Sequence, residues 1–446
     1  MYQFHELSRL ILPVSLLWVL NTMSALKIKS LFALRNLCPA RSPYRSWRVR
    51  VQDKTPCTMP SAKPLTSQAR PSMAVLDDYL DIAKPHFSHI PPDELSVTAF
   101  HESLPSFNHP RTSDSSRQAI VDRLKPFAVI SSMRERTPFP RELLRELPNL
   151  KLLLATGTQF ETFDLAAASE LGISVAAAPG RGRTDGKPSH RPVRPRLDIK
   201  KGGSHPTTQH AWALILALAR NVAADDAAMK GSAKAWQSQL AFGLTGTTLG
   251  VVGLGRLGAA VARIGSLAWG MRVICWSENM TQEKANRKAE EVGLPAYGGN
   301  PLDPDAPTFA AVTKDELFAS ADVVSLHYVL SERSRGIVGA KELGQMKESA
   351  LLVNTSRGPL IDDVALYDAL ENGRVRGAAL DVYDMEPLPD DSPWRSTKWG
   401  THGRSNLIIT PHMGYVEDGI MHTWYEETAE NLERWLRGEA LLHRLN

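Results

Sequence analysis

A chain of 446 residues exceeds one ordinary domain, so two domains with additions are expected. Its 43% hydrophobic and 22% charged residues describe a chain that folds around a core, and a net charge of +4 gives no global argument for nucleic-acid binding. The three cysteines, Cys38, Cys57 and Cys275, lack metal-ligand spacing and form no disulfide framework, so a reducing compartment and no metal are expected.

Residues 1–70 lack core patterning. The apolar run Leu10–Leu20 falls short of the roughly 18 residues that a membrane span requires, and Lys27, Lys29, Arg35, Arg41, Arg45, Arg48, Arg50 and Lys54 follow it, opposed only by Asp53. The segment reads as a disordered extension ahead of Met59 or as a basic, acid-poor targeting peptide for mitochondria. A secretory signal fits less well, because no small-residue cleavage site follows the apolar run.

Residues 71–180 alternate short apolar runs with helical stretches, the pattern of a parallel α/β sheet. Strands are predicted at 73–76, 96–100, 127–131, 150–155 and 173–177, and helices at 142–147 and 163–171. The strand at 151–155 runs into Thr156-Gly157-Thr158-Gln159, and ligands of open α/β sheets sit at such carboxyl ends. Residues 181–204 interrupt this order. Arg181, Arg183, Lys187, Arg191, Arg194, Arg196, Lys200 and Lys201 crowd a stretch rich in proline and glycine, which predicts a solvated, basic, disordered loop.

From Thr208 to Gly231 the period is helical, with Pro206 and Thr207 as start signals. The run Thr248–Val252 then reads as a strand buried on both faces and passes into Gly253-Leu254-Gly255-Arg256-Leu257-Gly258. With a strand before it and a helix after it, this G-x-G-x-x-G is a dinucleotide fingerprint. Gly253 makes the turn, Gly255 admits a pyrophosphate to the backbone, and Gly258 lets helix and strand pack closely. The N–H groups of Arg256, Leu257 and Gly258 lie at the positive end of the helix. Further strands are predicted at 271–276, 322–326, 350–353, 378–382 and 407–410, with helices at 362–372 and 414–436.

Three ionisable residues fall at the carboxyl ends of these strands: Arg357 in N-T-S-R-G, Glu386 in D-V-Y-D-M-E-P and His412 in T-P-H-M-G. Together they suit hydride transfer to a 2-oxo acid. Histidine protonates the developing alkoxide, a carboxylate beside it stabilises imidazolium, and a planar arginine clamps the substrate carboxylate.

The order G-x-G-x-x-G, N-T-S-R-G, D-V-Y-x-x-E-P, P-H-M-G resembles the D-isomer-specific 2-hydroxyacid dehydrogenase family from about Met73 to the C-terminus, residues 181–204 excepted. The resemblance implies an α/β fold of two doubly wound parallel-sheet domains: a Rossmann-type NAD(P)-binding domain, 205–412, inserted into a flavodoxin-like substrate domain made of 71–180 and the returning helices of 413–446. It also implies Arg357 as substrate clamp, Glu386 as partner of the acid/base His412, and Gly157 and Thr158 as backbone donors to the substrate carboxylate. Asp381 would hold the nicotinamide carboxamide, Thr355 and Ser356 would line its pocket, and the protein would be a homodimer.

Several positions depart from the family pattern. Ser277 stands where an acidic residue usually binds the adenosine ribose, which leaves NAD expected and NADP possible. Val329, Gln209 and Tyr415 replace the usual Pro, acidic residue and Gly. Glu386 disfavours a formate dehydrogenase, which pairs histidine with glutamine. The alternative of another class is an NAD(H)-sensing corepressor of the C-terminal-binding type. No nucleic acid or membrane is an expected partner, and the expected location is cytoplasmic, or mitochondrial if residues 1–58 are a transit peptide.

Overall fold

The computed structural model describes residues 70–189, 205–231 and 236–446; the expectations for residues 1–69 and for 190–204 of the basic segment lie outside them. The short apolar runs become two separate all-parallel sheets. In the first, β1 (Ser72–Val75), β2 (Ser96–Ala99), β3 (Val129–Ser132), β4 (Leu152–Thr156) and β5 (Ser174–Ala178) lie in the order β2-β1-β3-β4-β5. This is the flavodoxin-like order, with its switch point between β1 and β3.

The second sheet contains β6 (Thr248–Val252), β7 (Arg272–Trp276), β8 (Ala310–Ala311), β9 (Val323–Leu326), β10 (Leu351–Asn354), β11 (Gly377–Leu380) and β12 (Asn406–Ile409). Their order, β12-β11-β10-β9-β6-β7-β8, is Rossmann-like and reverses between β6 and β9. β6, β9 and β10 are buried at every residue, because helices cover both faces of the sheet and no alternation with polar residues is tolerated. The edge strand β8 has only two residues, too few to leave a periodic signal in the sequence.

Two helical expectations need correction. The single helix expected from Thr208 to Gly231 is two helices, Pro206–Ala219 and Val222–Lys230, broken where Asn221 takes a left-handed φ of 56°. Helix Pro206–Ala219 buries Ala211, Trp212, Leu214 and Ile215 against the second sheet, whereas Val222–Lys230 buries nothing. At the C-terminus, the helices expected over 414–436 are one long helix that begins only at Asp418, Asp418–Leu436, and it returns to the first sheet with Met421, Trp424, Tyr425, Ala429 and Leu432 in its core.

That last helix also corrects the reading of the basic segment. Its described part, up to Ser189, stays mostly exposed, as expected, but is tied along a row of buried glutamates. Glu427 accepts the backbone N–H groups of Gly180 (2.6 Å), Arg181 and Gly182 (2.5 Å). Glu430 accepts from the backbone and hydroxyl of Thr184, at 2.7 and 2.6 Å, and Glu433 pairs with Arg183 at 3.0 Å and with Lys187. Composition misled here because carboxylates distant in sequence replace the apolar burial that the segment lacks; a charge leaves water readily only when paired and hydrogen-bonded.

Candidate active site

The fingerprint glycines are each constrained differently. Gly253 has φ 94°, its N–H donates to the Trp276 carbonyl at 2.8 Å, and a Cβ on it would lie 2.7 Å from the His327 carbonyl oxygen. A Cβ on Gly258 would lie 2.1 Å from the Gly253 oxygen, so helix and turn could not approach. Gly255, by contrast, faces space open to 4 Å, and it caps helix Arg256–Trp269 without contributing a side-chain acceptor. The result is a cradle beside the first-turn N–H groups of Leu257 and Gly258, which have no partner within the helix itself. Its shape and positive end fit a dinucleotide pyrophosphate.

Ser277 follows β7 directly, next to the Gly253 turn. Trp276 stacks on Tyr328 with ring centroids 5.9 Å apart, and Lys284 Nζ folds back to the Asn279 carbonyl at 2.6 Å. Burial pushes His327 down to about 4, so it is a neutral ring in this wall at pH 7.

The N-T-S-R-G loop is closed by its own asparagine. Asn354 accepts the Ser356 N–H at 3.0 Å and donates to the Arg357 carbonyl at 2.9 Å, while Ser356 Oγ donates to the Tyr328 carbonyl at 2.6 Å. Thr355 Oγ1 is buried and has no hydrogen-bond partner among the described residues, as a lining group awaiting a ligand would be.

Glu386 and His412 form a direct pair, with Glu386 Oε2 at 2.6 Å from His412 Nδ1; the other oxygen, Oε1, accepts the Tyr383 N–H at 3.0 Å. Burial opposes the charge on Glu386, but His412, Arg136 and the Tyr383 N–H together hold its carboxyl below the usual range. His412 sits in the left-handed region at φ 50°, where a non-glycine residue stays only if its surroundings fix it. Asp381 does the fixing: its Oδ1 accepts from Met413 N (2.9 Å) and Thr410 Oγ1 (2.6 Å) and meets His210 Nε2 at 3.1 Å, and its Oδ2 accepts from Gly414 N at 2.9 Å. The Asp381 side chain is 1% exposed and committed to the loop that carries His412.

The first sheet supplies side chains that motif reasoning missed. After β3, Arg134-Glu135-Arg136 enters the cleft. Glu135 Oε1 lies 2.5 Å from Arg357 Nη2, and its Oε2 lies 3.3 Å from Arg134 Nε. Arg136 donates to the Tyr415 hydroxyl at 3.1 Å and to the His412 carbonyl at 3.4 Å. Tyr415 packs edge-on to His412, and the Arg134 guanidinium covers its ring at 4.5 Å. Residues 134–136 thus connect Arg357 to His412. The available signal was their position at the end of a parallel strand, but consecutive charges there read as an ordinary solvated turn.

Gly157 requires a correction. Its N–H donates to the Ala178 carbonyl at 2.8 Å, in an isolated antiparallel bridge just past the parallel β4–β5 ladder, so it is not offered to a substrate. Among the described residues, the Thr158 N–H meets the amide oxygen of its neighbour Gln159, at 3.3 Å.

An imidazole held by a carboxylate can move a proton, and an arginine beside it can hold an anion, next to a cradle suited to a dinucleotide. The comparisons with known proteins agree with that chemistry. Residues 212–414 match the family model described as "D-isomer specific 2-hydroxyacid dehydrogenase, NAD binding domain". The chain is 31% identical over 329 residues to a glyoxylate reductase of Korarchaeum cryptofilum, covering 73% of this chain and 84% of that protein. A hydroxypyruvate reductase of Blautia hydrogenotrophica is 27% identical, with 74% and 89% covered. The crystal structure of a phosphoglycerate oxidoreductase from Vibrio cholerae superposes with a TM-score of 0.62 at 30% identity, covering 82% of this chain and 99% of that one. The chain belongs to the D-isomer-specific 2-hydroxyacid dehydrogenase family and is an NAD(P)-dependent oxidoreductase acting on the CH–OH group of 2-hydroxy acids.

Proposed function

We propose that this enzyme works as a reductase of small 2-oxo acids, with Arg357, Glu386 and His412 as its catalytic residues. One observation carries the reading: the Glu386–His412 pair at 2.6 Å shares a cleft edge with Arg357, bridged by residues 134–136. The bound reduced nicotinamide supplies the hydride. Arg357 holds the substrate carboxylate and, near the carbonyl oxygen, favours the charge that develops there. With Nδ1 tied to Glu386, His412 delivers its proton to the alkoxide from Nε2. Glu386 keeps the ring oriented and balances the imidazolium before the transfer. Thr355 and Ser356 line the nicotinamide pocket, and Gly253, Gly255, Arg256, Leu257 and Gly258 surround the pyrophosphate. Turnover of glyoxylate, hydroxypyruvate or phenylpyruvate with NADH or NADPH tests the reading; binding of nicotinamide cofactor with no turnover of any 2-oxo acid would sink it.

The acid/base assignment gives a pH prediction. Reduction needs protonated His412, and the Glu386 carboxylate lies 2.6 Å from its Nδ1. Glu386→Gln removes the opposing charge, so the falling limb of the kcat/KM profile for reduction moves to lower pH. An unmoved limb, read from the full profile of both proteins, counts against the pair. The stability contribution of the pair follows the lowered Glu386 carboxyl: it is complete above the ordinary carboxyl value of about 4.3 and is lost as pH falls through the lower value of the folded state.

For the cofactor we favour NAD over NADP with weak discrimination. Ser277 at the ribose position lacks the carboxylate that repels a 2′-phosphate, and Lys284, folded back to Asn279, adds positive charge near it. Ser277→Asp is expected to raise the ratio of kcat/KM for NADH over NADPH. A constant ratio would place Ser277 away from the ribose.

A cytoplasmic homodimer completes the proposal. Support for the dimer comes from large apolar side chains left exposed around residues 222–240: Val222, Met229, Trp236 and Leu240.

A further inference from the structure

Glu135 is a residue of the cleft that the mechanism above leaves without a task. It lies on the loop after β3, its side chain is only 13% exposed, and it shares the arginine that the reaction needs. Burial opposes its charge, but Arg134, Arg357 and His412 together hold its carboxyl below the ordinary range, so it is a carboxylate at neutral pH. Arg357 is therefore engaged on two sides before any substrate arrives: Nη1 donates to the Ser356 carbonyl at 2.7 Å, and Nη2 pairs with Glu135. The cations nearby differ in their partners, and the buried Arg136 Nε meets no hydrogen-bond acceptor among the described residues. Arg134 lies against Glu135 and the Tyr415 ring, and Arg136 against the hydroxyls of Tyr79 and Tyr415.

We infer that Glu135 is a specificity-determining residue, which orients Arg357 for a single substrate carboxylate and excludes 2-oxo acids that carry a second negative charge. The inference rests on the reading of Arg357 as the substrate clamp. A monoanionic 2-oxo acid brings one carboxylate to one arginine whose charge is already half-compensated, and its neutral end meets no penalty. A dianionic acid brings a second carboxylate into a partly buried cleft where Glu135 stands and already takes up the charge of Arg357 and Arg134. Like charges within a few ångströms in such surroundings cost far more than in water, and repulsive elements of this kind commonly set specificity.

The test compares 2-oxobutanoate with oxaloacetate, which differ only in the distal carboxylate, for the wild type, Glu135→Gln and Glu135→Asp. The wild type is expected to favour 2-oxobutanoate in kcat/KM, and the preference should shrink as ionic strength rises and screens the repulsion. Glu135→Gln keeps the shape and an acceptor for Arg357 but removes the charge. It should reduce the preference by about tenfold, mainly through KM for oxaloacetate, as expected for the loss of about one charge–charge interaction near a protein surface. Glu135→Asp should restore most of it. A wild type that prefers oxaloacetate overturns the inference without any variant, and so does an unchanged ratio in an active Glu135→Gln. If no 2-oxo acid is reduced at all, or Arg357→Lys acts alike on substrates with and without a carboxylate, it is the clamp reading that fails.

Discussion

The substitution His412→Gln is expected to lower kcat for 2-oxo acid reduction by about 10²–10⁴-fold, the usual worth of a positioned general acid. Glutamine can still donate to Glu386 from its amide, so the carboxylate now on Nδ1 at 2.6 Å is not left buried without a donor, and the fold should persist. Cofactor affinity should hardly change, because the imidazole acts on the substrate oxygen and the pyrophosphate cradle lies at Gly253–Gly258. Single-turnover rates together with cofactor titration by nicotinamide fluorescence separate the two effects. An unaltered kcat would remove His412 from the mechanism. A loss of cofactor binding equal to the loss of rate would make it a structural residue of the loop that Asp381 holds.

For Arg357→Lys, kcat/KM is expected to fall by about 10–10²-fold, the equivalent of one hydrogen bond to a charged group at about 1.5–3 kcal/mol. The charge is retained, but a lysine cannot reproduce the planar fork, and the guanidinium already spends one edge on Glu135 and Ser356. Lysine would have one compact cation to share between Glu135 and the substrate, so KM and kcat should both suffer. Comparison of a 2-oxo acid with the corresponding 2-oxo ester, which lacks the carboxylate, is decisive. An equal loss on both would argue against a carboxylate clamp.

Much of the architecture was legible in the chain because it depends on local repetition. Buried runs such as Thr248–Val252 and Leu351–Asn354, separated by helical periods, dictate parallel sheets whatever their neighbours are. The fingerprint glycines were readable as a local motif, and Gly258 answers a short-range demand from the Gly253 oxygen, whereas the His327 carbonyl that presses on Gly253 comes from a distant strand end. Arg357, Glu386 and His412 could be singled out because each follows a strand, and the carboxyl edge of a parallel sheet is common ground for its ligands.

What the sequence by itself determined is therefore the alternation of elements, the dinucleotide turn and the three strand-end residues. Only the tertiary structure decided who meets whom. That Gly157 spends its N–H on Ala178, that Asp381 anchors Met413 and Gly414, and that Glu427, Glu430 and Glu433 hold the start of a basic segment are all pairings across long sequence separations. Glu135 on Arg357 joins residues 222 positions apart from two different sheets. Such contacts leave no period in the chain: a carboxylate bound for solvent and one bound for an arginine across a cleft are the same letter, and only the packing of the two domains brings the partner within reach.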